Sequence, residues 1–96
     1  MNSGYVYLMA KQRNGTTYLG VTSNLQQRAY QHRSGMIKGF SKENDCHLLV
    51  WYAYFEDLQE ARAMEARMKK WKRAWKLDVI EKHNPQWKDL YDDLAK

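Results

Sequence analysis

Cys46 is the only cysteine in the chain. This excludes an internal disulfide and a zinc site built on paired thiolates, and it makes reducing, intracellular, cytoplasmic surroundings the expectation. Long apolar runs are also missing, and the longest falls far short of a bilayer span, so no membrane partner is expected. The opening residues, "MNSGYVYLMAK", have no basic region leading into a long apolar core, so no secretory leader is expected either. There is no internal repeat, low-complexity tract or Gly/Ser linker. Over 96 residues these absences leave one domain, 1–96, with a single modest core.

Acidic excess is absent too. The net charge is +5, and 44% apolar with 28% charged residues is the composition of a soluble folded domain. With a pI of about 9.4, the expected partner is anionic, nucleic acid ahead of a membrane surface. A basic balance alone is a weak pointer.

Two apolar runs flank Asn14-Gly15, a strong hairpin signal. The first strand is expected from Gly4 to Ala10 and the second from Thr16 to Val21, with Gln12 to Gly15 turning between them. Ser23, with Gln26 three residues on, has the capping-box pattern for a helix that runs to about Arg33 and ends at Gly35. "SGMIKGFSKEND" reads as a loop. "CHLLVWYAYF" reads as a strand covered on both faces, because polar alternation is nearly missing. Asp57 is placed to cap a long helix from Leu58 to about Lys72, and helix continues from Trp75 to Lys82 after a break. Asn84-Pro85 stops it, and Pro85 suits the first turn of a short last helix in "QWKDLYDDLAK". The expected class is α+β. A small three-stranded mixed or antiparallel sheet is flanked by helices in the order β-β-α-β-α-α-α.

Three groups of side chains have chemical potential. In "SNLQQRAYQHRSG", Leu25, Arg28 and His32 share a helix face with Ala29. Arg28 then either lays its stem along the core with its guanidinium in water, or is a packed cation aimed at a phosphate. His32 at the helix C-terminus is favoured by the dipole alone. In "LQEARAMEARMKKW", Ala61, Met64, Met68, Trp71 and Trp75 form an apolar stripe bordered by Glu65. Such a carboxylate needs a partner, either Arg62 or Lys69, or a metal. A lone carboxylate suits Mg²⁺, which keeps most of its waters. "RMKKWKRAWK" holds six cations, Arg67, Lys69, Lys70, Lys72, Arg73 and Lys76, and two tryptophans. The tryptophans read as core. The cations are either a solvated face or a track for phosphates. Cys46-His47 has no metal-ligand spacing to the other histidines and reads as strand.

Taken in order, these residues resemble the GIY-YIG nuclease family, and especially its small stand-alone bacterial members. Tyr5-Val6-Tyr7 matches the first name element, with Tyr7 as its tyrosine, and Tyr18-Leu19-Gly20 matches the second. Arg28 and His32 follow on the helix, and the family glutamate falls on Glu65. "LDVIEKHNPQWKDLY" is similar to the tail of the small subgroup. The resemblance covers nearly the whole chain. Each short motif is weak alone, and their order and spacing together are fairly specific. Three positions depart from the pattern: Tyr5 replaces glycine, Leu19 replaces isoleucine, and Val21 stands where some members have lysine assisting the base.

The resemblance implies one-metal hydrolysis of phosphodiester bonds in DNA, in repair or processing. Glu65 would hold Mg²⁺ or Mn²⁺, and Arg28 would meet the charge on the phosphate. Tyr18, or Tyr7, would take the proton from water. Keeping a phenol ionised at pH 7 costs ~4 kcal/mol, to be offset by Arg28, the metal or a protonated His32. DNA is expected ahead of RNA, and a protein partner or homodimer would suit so small a module. The alternatives are a nucleic-acid-binding module of the same fold that cleaves poorly, and a basic surface for an acidic protein. Strand alternation alone does not separate Tyr5 from Tyr7. A two-residue turn at Asn14-Gly15 would pair Lys11 rather than Tyr7 with Tyr18, so the resemblance is what selects the tyrosine pair.

Overall fold

The computed structural model describes residues 2–35 and 45–94. Its elements are β1 (Gly4–Ala10), β2 (Thr17–Thr22), α1 (Leu25–Arg33), β3 (Leu48–Phe55), α2 (Leu58–Lys69), α3 (Arg73–His83) and α4 (Tyr91–Leu94). The sheet has the order β2-β1-β3, and both pairings are antiparallel. The expected α+β class and element order are therefore present.

β1 is the central strand and is covered on both sides, which accounts for its unbroken apolar character. Val6, Leu8 and Ala10 face one core with Val50, Trp51, Ala61, Met68, Ile80 and Trp87. Tyr7 and Met9 face the other with Leu25, Ala29, Cys46 and Leu49. β3 feeds both cores through a bulge. Leu8 pairs with Trp51 and Met9 with Leu49, so Val50 is one residue too many for the ladder. Only the first half of β3 is deeply covered, and Tyr54 is 55% exposed. The strand begins at Leu48, so Cys46-His47 precedes it.

The hairpin loop is wider than two residues. Lys11 N–H donates to the Thr16 carbonyl, and Gly15 N–H closes a turn on Gln12 with Asn14 at φ 59. Residues 36–44 of the expected loop lie outside the described residues. The first helix is capped by Asn24, whose side chain accepts from Gln27 N–H, and not by Ser23. Both pairs fit the same sequence pattern, and the Thr22 hydroxyl decides by accepting from Asn24 N–H. Gly35, at φ +70, ends the helix as expected. Asp57 caps α2 through Gln59 N–H.

Two further expectations fail. α2 stops at Lys69, and residues 70–72 redirect the chain into α3. The stripe read from Ala61 to Trp75 therefore loses its phase, and Trp75 is 53% exposed. The last helix does not begin at Pro85 either. The backbone after it is committed elsewhere: Lys88 N–H donates to Asn84 Oδ1 and Leu90 N–H to the Leu49 carbonyl. Only Tyr91–Leu94 is helical. Asp89 accepts from both Leu49 N–H and Tyr91 N–H, which fastens this tail to the edge of β3.

Asn84 joins the tail to the sheet. Buried at the end of α3, its amide donates to the Val50 and Lys88 carbonyls at 3.0 and 2.9 Å. Asn84→Ala strands those groups and is expected to cost about 1–3 kcal/mol of unfolding free energy in urea titration. A variant as stable as wild type would contradict this role.

Candidate functional site

The site grows from the β1–β2 register. Tyr7 pairs with Gly20, and Met9 pairs with Tyr18. Tyr7 and Tyr18 are therefore diagonal neighbours on one face, with ring centroids 6.4 Å apart. The wider loop resolves the register question posed by the sequence. The glycine opposite Tyr7 is required by packing. A Cβ on Gly20 would meet the Tyr7 hydroxyl and would lie 2.5 Å from ring Cζ. Tyr7 thus packs closely over the Gly20 backbone and is 1% exposed.

α1 closes over this ring. Leu25 and Ala29 are buried against the sheet, and the same face delivers His32, 5% exposed. The Tyr7 hydroxyl and His32 Nε2 share a buried hydrogen bond of 2.9 Å. The imidazole also sits 5.1 Å from the Tyr18 ring, centroid to centroid. Arg33, next along α1, pairs with Asp92 at 3.3 Å and lies 5.1 Å over the Tyr91 ring. That contact docks α4 on the helix.

Arg28 and Glu65 complete the group. Arg28 is exposed on α1, yet its charge is felt at both Tyr7 and His32. Glu65 projects from α2, its charge also reaches Tyr7, and its side chain is 15% exposed. Lys69 Nζ lies 3.1 Å from Glu65 Oε2 in an i,i+4 pair. So Tyr7, Tyr18, Arg28, His32 and Glu65 come together from β1, β2, α1 and α2.

Burial, then the neighbouring Tyr18 and Glu65, push the Tyr7 phenol well above its ordinary value, with Arg28 opposing. Burial, reinforced by Arg28, pulls His32 down to about 4. Both members of the hydrogen bond are neutral at pH 7, which removes a protonated His32 from the cations available to a phenolate. Tyr18, by contrast, is only partly buried.

The donor set bears on the metal. Among the described residues no three His, Cys, Asp or Glu are grouped to hold one. Zinc, or calcium in an all-protein cage, does not suit a single carboxylate. A single carboxylate such as Glu65 suits Mg²⁺ or Mn²⁺, which would retain water and complete its shell with phosphate oxygens, in place of the Lys69 ammonium that pairs with Glu65 in this structure.

The basic segment is divided between uses. Arg73 donates to the Asn14 and Gly15 carbonyls at 3.0 and 2.8 Å, which ties the start of α3 to the hairpin turn. Lys69 faces Glu65. Arg67, Lys70 and Lys72 are exposed, and Lys76 is half-buried. Arg73's structural task is not legible from residue type, because turn carbonyls leave no trace there. The close packing at Gly20 was legible only as a motif letter.

A family model described as the GIY-YIG catalytic domain matches residues 3–78. The chain belongs to the GIY-YIG family, a family of nucleases whose members generally depend on a divalent metal and act on nucleic acid. Its relatives are small proteins matched over most of their length. A UPF0213 protein of Clostridium perfringens is 33% identical over 79% of this chain and 81% of its own. One from Staphylococcus haemolyticus is 31% identical over 84% and 98%. One from Syntrophus aciditrophicus is 33% identical over 90% and 98%. The solution structure of a UPF0213 protein from Bacillus halodurans has the same fold. Its TM-score is 0.56, at 23% identity, over 91% of this chain and 92% of that one. No helix among the described residues is long and apolar enough to cross a membrane.

Two outcomes follow from the buried pair. Gly20→Ala is expected to cost about 1–3 kcal/mol in chemical denaturation, because Tyr7 must leave its seat; an unchanged midpoint would contradict the packing. For His32, the unfolded chain titrates near 6.5 and the folded chain near 4. Between these values the unfolded state binds the extra proton. The stabilisation is therefore complete above 6.5 and is lost as pH falls towards 4. Wild type should lose roughly 3 kcal/mol more than His32→Gln across that window. Parallel pH profiles for the two proteins would overturn the assignment.

Proposed function

We propose that the chain is a one-metal endonuclease hydrolysing phosphodiester bonds in DNA, in repair or processing. The observation that carries this reading is the convergence of a tyrosine pair, a histidine, an arginine and a carboxylate at one place beside the β2 edge. In this reading Glu65 holds the divalent ion. When bound, that ion neutralises the scissile phosphate and supports the departing 3′-oxygen. Arg28, exposed and rigidly based on α1, pairs with a non-bridging phosphate oxygen as charge builds there.

Tyr18 takes the proton from the attacking water. Its neighbour is unsuited to that task, since the Tyr7 hydroxyl is buried and committed to His32. Tyr7 instead positions His32, and together they form the floor on which Tyr18 rests. Val21 supplies no amine beside the base, so Arg28 and the metal must favour the phenolate. Arg67, Lys70, Lys72 and Lys76 contact flanking phosphates, while Lys69 and Arg73 serve the site and the hairpin.

The Lys69–Glu65 pair favours a second reading, a binding module with weak cleavage, because the ammonium already satisfies the carboxylate. Cleavage of labelled DNA and RNA structures in Mg²⁺ or Mn²⁺ decides between the two. Wild type should cleave, should cleave faster towards alkaline pH, and should stop in chelator. Glu65→Ala should fall to background while keeping DNA binding. Tyr18→Phe should lose ~10²–10⁴-fold, and Tyr7→Phe should lose much less. Cleavage persisting in both Glu65→Ala and Tyr18→Phe would sink the assignment. Binding without cleavage in wild type would establish the module.

A further inference from the structure

Trp75 is, with Tyr30 and Tyr54, one of three large aromatic side chains more than half exposed among the described residues. It is 53% exposed, whereas Trp51 and Trp87 are buried to 9% and 3%. Burial was available in principle, since Leu77, Val79 and Ile80 on the same helix reach the core. The ring is nevertheless well placed. Trp71 packs against the core and meets Trp75 edge-on, with centroids 6.3 Å apart and planes at 73°. An edge contact leaves at least one Trp75 face without a stacked ring. Two residues earlier, Arg73 is bonded to the hairpin turn, so the first turn of α3 is anchored.

The chain around Trp75 is strongly basic, and Asp78, exposed three residues further along α3, is the first carboxylate after it. From Ala66 to Leu77 there are six cations and no acidic side chain. A solvent-facing tryptophan among cations matches the chemistry of a nucleic-acid strand whose bases are free to stack, because every base offers a π-face and every linkage an anion. Duplex DNA offers the anions but keeps its bases stacked on one another. A fixed ring also lowers the ordering cost of binding.

We propose that Trp75 stacks on an unpaired base of single-stranded DNA while Arg67, Lys70, Lys72 and Lys76 hold the adjoining phosphates, so that this surface selects DNA with unpaired nucleotides over intact duplex. The inference rests on reading the chain as a protein that acts on nucleic acid, and it specifies the substrate class. It does not require cleavage.

The test is binding without metal, in the Glu65→Ala background, of a short oligothymidylate and a blunt duplex of equal length at one fixed salt concentration. The oligothymidylate should quench tryptophan fluorescence, and Trp75→Phe should lose that quenching while keeping most of the affinity. Trp75→Ala should weaken single-strand binding about tenfold and leave duplex binding unchanged. Equal losses on both DNAs, or no loss on either, would overturn the proposal. So would competition by polyglutamate that vanishes in Trp75→Ala, which would assign the surface to an acidic protein. Cleavage by the Trp75→Ala single variant is measured separately. Undiminished cleavage of duplex with failed single-strand selection would remove this inference and leave the nuclease reading standing. Selection without any cleavage would do the reverse.

Discussion

The seat of Tyr7 between Gly20 and His32 is the contact on which the site depends. A phenol can lie there only because the residue across the ladder has no side chain. Its hydroxyl can be buried only because α1 brings an imidazole to it. Each condition restricts a different element. The first sets the register of β2 on β1, and the second sets the height and rotation of α1 over the sheet. Tyr18 and Arg28 then follow, one by strand alternation from Gly20 and the other by a helical turn from His32. Removing the hydrogen bond would take away one fixed point of α1 on the sheet and leave the packing of Leu25 and Ala29 to hold it.

This arrangement separates two kinds of polar group. Tyr7 and His32 are buried and neutral, and satisfy each other. Tyr18, Arg28 and Glu65 lie towards solvent, where charge can appear or be exchanged. A buried neutral floor is rigid and cheap to maintain, because neither partner carries an unpaired charge. The groups above it, which the proposed reaction would use, keep access to water. Glu65 is the only member from α2, and its lysine partner is on the same helix, so the pair can open without disturbing the sheet.

Much of this was legible in the sequence because the signals were local. Asn14-Gly15 gave the hairpin, Asp57 the start of α2, and Gly35 the end of α1. Arg28, His32 and Glu65 stand out on helix faces, whereas the tyrosine pair is selected by resemblance to a family, since periodicity does not separate Tyr5 from Tyr7. What remained hidden was set by long-range contacts. The choice of Asn24 over Ser23 as cap turns on the Thr22 hydroxyl. The failure of a helix to start at Pro85 turns on the β3 edge capturing Leu90. Trp75 was misjudged because a break at residues 70–72 ended the helical phase from which its burial was read.

The proposed reaction depends on Glu65 holding a divalent ion beside Tyr18, Arg28 and His32. Paramagnetic broadening by substoichiometric Mn²⁺ in a two-dimensional NMR spectrum tests it without reference to activity. Broadening is expected to centre on Glu65, to spread to Tyr18, Arg28 and His32, and to disappear in Glu65→Ala. Broadening that survives that substitution, or that centres on Asp89, Asp92 and Asp93, would contradict it.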